Sequence, residues 1–130
     1  MGVTAGTVGI TDVGQIFINA KDLPRAIGFY RDVLGLPLLF EIPGSAFFQA
    51  GGVRLMVGTA ETPEFDHPAS ILYYRVADIH SAFATLTAAG VHVEHEPRMI
   101  AKMPDHDLWM GFFHDSEGNV AALMSEVRES

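Results

Sequence analysis

A chain of 130 residues, 48% hydrophobic and only 18% charged, is long enough for one domain and too apolar to be disordered. The 16 acidic and 8 basic residues give a formal net charge of -8, and no Lys/Arg run exists to neutralise a polyanion, so nucleic acid is not an expected partner. Cysteine is absent, which removes disulfides, Cys-ligated metals and thiol nucleophiles.

The stretch from Met1 to Val13 is rich in Gly and Thr and lacks the basic start and apolar core of a secretory signal. No apolar run approaches a membrane span, so the expectation is a cytoplasmic protein with no membrane partner. Gln15 to Ala20 then alternates: Ile16, Ile18 and Ala20 form an apolar face, and Gln15, Phe17 and Asn19 a mixed one. After Asp22, Leu23, Ile27, Tyr30 and Leu34 fall on one helical face. Asp22 suits the N-cap, Pro24 the first turn and Gly35 the left-handed stop. Strands are predicted at Leu38 to Glu41, Ala46 to Ala50 and Val53 to Val57, with a Gly51-Gly52 turn before the last. Thr59 to Ala69, with Pro63 and Pro68, reads as a linker.

The same order then recurs. Ile71 to Val76 reads as a strand, Asp78 caps a helix with Ile79, Phe83 and Leu86 on one face, and Gly90 ends it. Strands follow at Val91 to His95, Asp107 to His114 and Val120 to Glu126, with Glu96 to Pro104 as a longer loop. His92 and His95 are three positions apart on one short strand, which predicts opposite faces. The offset between copies is 56 residues, both from Gln15 to Ile71 and from Asp22 to Asp78. The prediction is an α+β fold of two tandem βαβββ modules, forming a cupped mixed sheet with helices on its outer face. Module 1 covers about 13–59, the linker about 60–69 and module 2 about 70–127 of a single domain.

Gln15, Asp22, Leu23, Ala26, Phe29, Tyr30, Val33, Leu34 and Gly35 together resemble the opening of the vicinal oxygen chelate superfamily. That group includes glyoxalase I, bleomycin-resistance proteins, fosfomycin-resistance enzymes and extradiol dioxygenases. The run Phe112-Phe-His-Asp-Ser-Glu-Gly-Asn119 resembles its closing strand and turn, so the likeness extends from Val13 to Val127. The resemblance implies a homodimer and a divalent metal held by His or Gln, and Glu, from the first and last strand of each module. Those places here are Gln15, Leu55, Ile71 and Ala122, of which only Gln15 carries a donor atom. A catalytic metal needs about three protein ligands, so no metal or other cofactor is expected at this set.

The inner face of the sheet is expected to bind a small molecule through Gln15, Phe17, Asn19, Leu55, Ile71, Tyr73, Arg75, Trp109 and Ala122. Arg75 has two readings, a bidentate partner for a ligand carboxylate or one half of a salt bridge. His106, flanked by Asp105 and Asp107 in a loop leading to Trp109, is the candidate general base. The leading functional expectation is a metal-free binder of the bleomycin-resistance kind, taking a partly apolar guest. The alternatives are a metal-dependent lyase or isomerase like lactoylglutathione lyase, a ring-cleaving dioxygenase, and a domain used for protein association.

Overall fold

Period-two and period-3.6 segments alternate along the chain as β1 (Gln15–Asn19), α1 (Leu23–Gly28), β2 (Leu38–Ile42), β3 (Ser45–Ala50), β4 (Val53–Gly58), β5 (Leu72–Arg75), α2 (Ile79–Ala88), β6 (Val93–Lys102), β7 (Asp107–His114) and β8 (Val120–Val127). The structure is a computed structural model that describes residues 7, 9, 11–60, 62, 63, 66–68 and 70–128. Most of the Gly/Thr-rich start and part of the expected linker lie outside the described residues.

The strands form two four-stranded sheets of identical topology, β1-β4-β3-β2 and β5-β8-β7-β6, rather than one continuous sheet. In each, the first strand runs parallel to the last, as a helical crossover requires, and the other pairings are antiparallel. This is the βαβββ repeat twice over. Among the described residues no helix is long and apolar enough to cross a membrane.

Both helices start as the sequence predicts. The Asp22 side chain accepts from Arg25 N at 3.1 Å, and Asp78 accepts from Ser81 N at 3.1 Å, each cap being worth about 1 kcal/mol. Gly35 and Gly90 follow the helices at φ of +75° and +77°, where a Cβ would be strained. The first helix differs from expectation in its second half, where Phe29–Val33 form a π-helical turn. The wider turn brings both Phe29 and Tyr30 into the core, which a regular helix with its 100° step would not do as fully.

Ile18, Phe29, Tyr30, Phe48, Leu55 and Val57 of the first half and Ile79, Phe83, Leu86, Phe113 and Leu123 of the second form one hydrophobic cluster. Full burial of each such large side chain contributes about 1.5–3 kcal/mol. Gly111 is needed here because a Cβ on it would lie 2.6 Å from the Phe83 ring, which meets Phe113 edge-on. The predicted loop at Glu96 to Pro104 is mostly strand. β6 is an edge strand whose register shifts at three places, and it tolerates Pro97 because an edge position need not donate to a neighbour. Those bulges erase the alternation by which a strand is recognised.

The closing turn locks the two halves together. Asp115 Oδ1 accepts from the backbone of Glu117 and Asn119 (both 2.8 Å), while Oδ2 accepts from Tyr30 Oη (2.7 Å) and Asn119 Nδ2 (2.9 Å). Burial pushes the Tyr30 hydroxyl well above its ordinary pKa, with Tyr74 and Asp115 adding to the effect. The Glu117 carboxylate is inaccessible to solvent and accepts from Lys21 N, Asp22 N and Arg25 Nε at 2.7–2.8 Å. Burial alone would raise its pKa, but hydrogen bonds from Arg25, Asp22, Ser116 and Lys21 outweigh burial and hold it at about 2.

Candidate functional site

Each sheet keeps one face on the common core and leaves the other open. Strand register identifies the open face of the first sheet. Gln15 stands opposite Arg54, Phe17 opposite Met56, and Met56 in turn opposite Phe47, which pairs with Phe40. The Phe40 and Phe47 rings stack at 4.4 Å, and the Arg54 guanidinium lies 5.2 Å from the Phe47 centroid. Arg54 Nε also donates to Gln15 Oε1 at 2.7 Å, while Gln15 Nε2 reaches Met56 Sδ at 3.6 Å.

On the second sheet Tyr73 stands opposite Ala122, which pairs with Phe112. The Tyr73 and Phe112 rings meet edge-on at 5.8 Å, and His95 meets Phe112 at 6.0 Å. Arg75 is mostly solvent-exposed and has Glu126 at 3.9 Å, a loose pair of the kind worth little at a surface. Ile71 lies exposed just before β5.

Three expected members of the inner face stand elsewhere or are already engaged. Leu55 is 1% exposed in the core, because the residue opposite it is Ile16; the outward residue of β4 is Met56. Trp109 shares the inward parity of Phe113, packs on the core and meets the His80 ring of α2 at 5.0 Å. Asn19 is on the open side, but its amide donates to Asp66 at 2.8 Å and accepts from Ala60 N at 3.3 Å, so it ties down the linker. With His67, Lys21 and Glu117 it lines a polar cavity of about 270 Å³.

His106 sits at the tip of the β6–β7 hairpin, bonded to Asp105 at 2.7 Å. Its hydrogen bond and charge hold the Asp105 carboxyl below the ordinary value. The recess around it is lined by Lys102 to Asp107 and Val127, and by none of the open-face residues above.

The positions implied for a metal do not fit one. With register applied, the set is Gln15, Met56, Ile71 and Ala122, and its one oxygen donor already accepts from a guanidinium. A cation there would meet Arg54 at close range. A different group of donors escapes sequence reading. His92, Glu94 and His114 each bring one donor atom within 4.8 Å of the others. His92 and Glu94 are two residues apart and share a face, and His92 lies across from His114, on whose ring it stacks; the bulge between Val93 and His95 then brings His95 onto Phe112, on the same face of β7. Simple alternation had put His92 and His95 on opposite faces, and only the bulge could have revealed otherwise.

Three comparisons bear on kinship. A 46-residue stretch is 37% identical to "Metallothiol transferase FosB" of Staphylococcus haemolyticus; it covers 35% of this chain and about a third (33%) of that protein. The fold matches a glyoxalase/bleomycin resistance protein/dioxygenase superfamily member from Sphaerobacter thermophilus, at a TM-score of 0.74 and 23% identity over 90% of this chain and 98% of that one. It also matches TnmS3, an antibiotic binding protein from Streptomyces sp. CB03234, at a TM-score of 0.72 and 22% identity over 92% and 99% of the two chains. Finally, a family profile covers residues 12–123, and the chain therefore belongs to the Glyoxalase/Bleomycin resistance protein/Dioxygenase superfamily.

Proposed function

We propose that the protein binds a small, partly apolar molecule on the open sheet faces, with no metal at the family's matched first- and last-strand positions. The observation that carries this reading is the pairing of Gln15 with Arg54 at 2.7 Å, which puts a fixed positive charge where a metal ligand would be needed. Phe17, Met56 and Phe40, the last stacked over buried Phe47, offer apolar contact on one sheet, and Tyr73 and Phe112 on the other. Arg54 and Arg75 favour a guest whose polar end is anionic, despite the net charge of -8. The antibiotic-binding relative is a precedent for such use of the fold.

A homodimer is part of the same proposal, since β1 and β5 each have only one strand neighbour beside an open face. Sedimentation should then give twice 14.1 kDa. Anilinonaphthalene sulfonate, an aromatic anion, tests the binding site. It should bind saturably, weaken on Arg54→Ala and ignore EDTA. A stoichiometric metal lost on Gln15→Ala, together with dye binding, would overturn the reading in favour of a metal-dependent enzyme.

A further inference from the structure

We infer that His92, Glu94 and His114 form a site for a divalent transition metal of the zinc, nickel or cobalt kind, separate from the family's matched positions. His114 Nε2 is shut off from solvent and has no hydrogen-bond partner among the described residues, an arrangement that is costly for a buried polar nitrogen. Glu94 Oε2 lies 3.8 Å from it, too far for a hydrogen bond. The same Glu94 oxygen lies 4.0 Å from His92 Nε2. The two imidazoles stack at 4.4 Å with their planes 8° apart, so both rings hold their nitrogens beside one carboxylate.

A metal between them resolves that geometry. Two imidazoles and a carboxylate form a donor set that zinc takes at about 2.0–2.2 Å, which places the donor atoms roughly 3.4 Å apart in a tetrahedron. The observed donors, all within 4.8 Å, need to close by about 1.4 Å or less. His92 and Glu94 are free to do so, since their side chains are 68% and 47% exposed, whereas His114 is only 23% exposed and anchors the set. Backbone structure supports the grouping, because His114 N donates to His92 O at 2.9 Å across the β6–β7 pair. Three protein ligands leave a fourth position open. His114 shares its face of β7 with Phe112, so that open position stands at the margin of the aromatic surface of the second sheet.

The test uses the untagged, EDTA-treated and dialysed chain titrated with zinc chloride by calorimetry, and with cobalt(II) by visible absorption. The expected result is one ion per chain and a cobalt spectrum of tetrahedral intensity. Glu94→Gln and His114→Ala should each weaken zinc by roughly tenfold or more, while Gln15→Ala leaves it unchanged. Glu94→Gln alters an exposed side chain and keeps the test decisive if His114→Ala fails to fold. No zinc uptake by the parent chain, or uptake unaltered by Glu94→Gln, would overturn the inference. Dye binding without zinc uptake would leave the proposed function standing and remove this site; zinc uptake without dye binding would do the reverse.

Discussion

Replacing Glu117 by Gln tests the lock between the two halves. The carboxylate is held at about 2 against an ordinary 4.5, a gap that corresponds to about 3 kcal/mol. Arg25 is half exposed, so water screening trims the expected loss to about 2–3 kcal/mol at pH 7. The folded value lies below the unfolded one, so this stability is complete above pH 4.5 and drains away as the pH falls toward 2. Urea unfolding of the two proteins at pH 7, 4.5 and 2.5 measures it. The difference between them should be nearly full at the first two and under about 1 kcal/mol at pH 2.5. Comparing the pair cancels the other titrating groups. A gap that persists unchanged at pH 2.5, or no gap at pH 7, would refute the assignment of the low pKa to this buried cluster.

Other outcomes follow from the packing. Gly111→Ala should cost about 1–3 kcal/mol by calorimetry, since the added methyl displaces the Phe83 ring from a filled core. Tyr30→Phe should cost about 1–2 kcal/mol, because Asp115 loses a buried donor but keeps Asn119. Leu55→Ala should cost about 2–5 kcal/mol in chemical denaturation, whereas Met56→Ala should cost less and instead weaken binding of the aromatic dye.

The repeat, both helix caps and the outward parity of Phe17 and Tyr73 were legible because spacing and alternation record them directly, whereas Ala122, though opposite Tyr73, is fully buried. Leu55 and Trp109 were misplaced for a different reason. The parity of a strand residue depends on which neighbour it stands opposite, and hydrogen-bond register is a long-range property. The grouping of His92 and Glu94 with His114 was hidden more deeply, since it depends on a strand pairing 22 residues apart in sequence, and the register shifts of β6 hide that His95 shares the face of His92. The role of Glu117 was equally silent, because its partners Lys21, Asp22 and Arg25 lie more than 90 residues earlier.

The bulges have another consequence, for the outer edges of the sheets. Of the four edge strands, β2 and β6 are irregular, with register shifts in both and Pro97 in β6. Such interruptions hinder a new strand from zipping onto an exposed edge. β1 and β5 carry no break in their pairing and no proline. Each sheet thus has one interrupted edge strand and one regular one. In the homodimer proposed above, backbone pairing would fall to β1 and β5, beside Gln15 and Tyr73, rather than to the hairpin that carries His92 and Glu94.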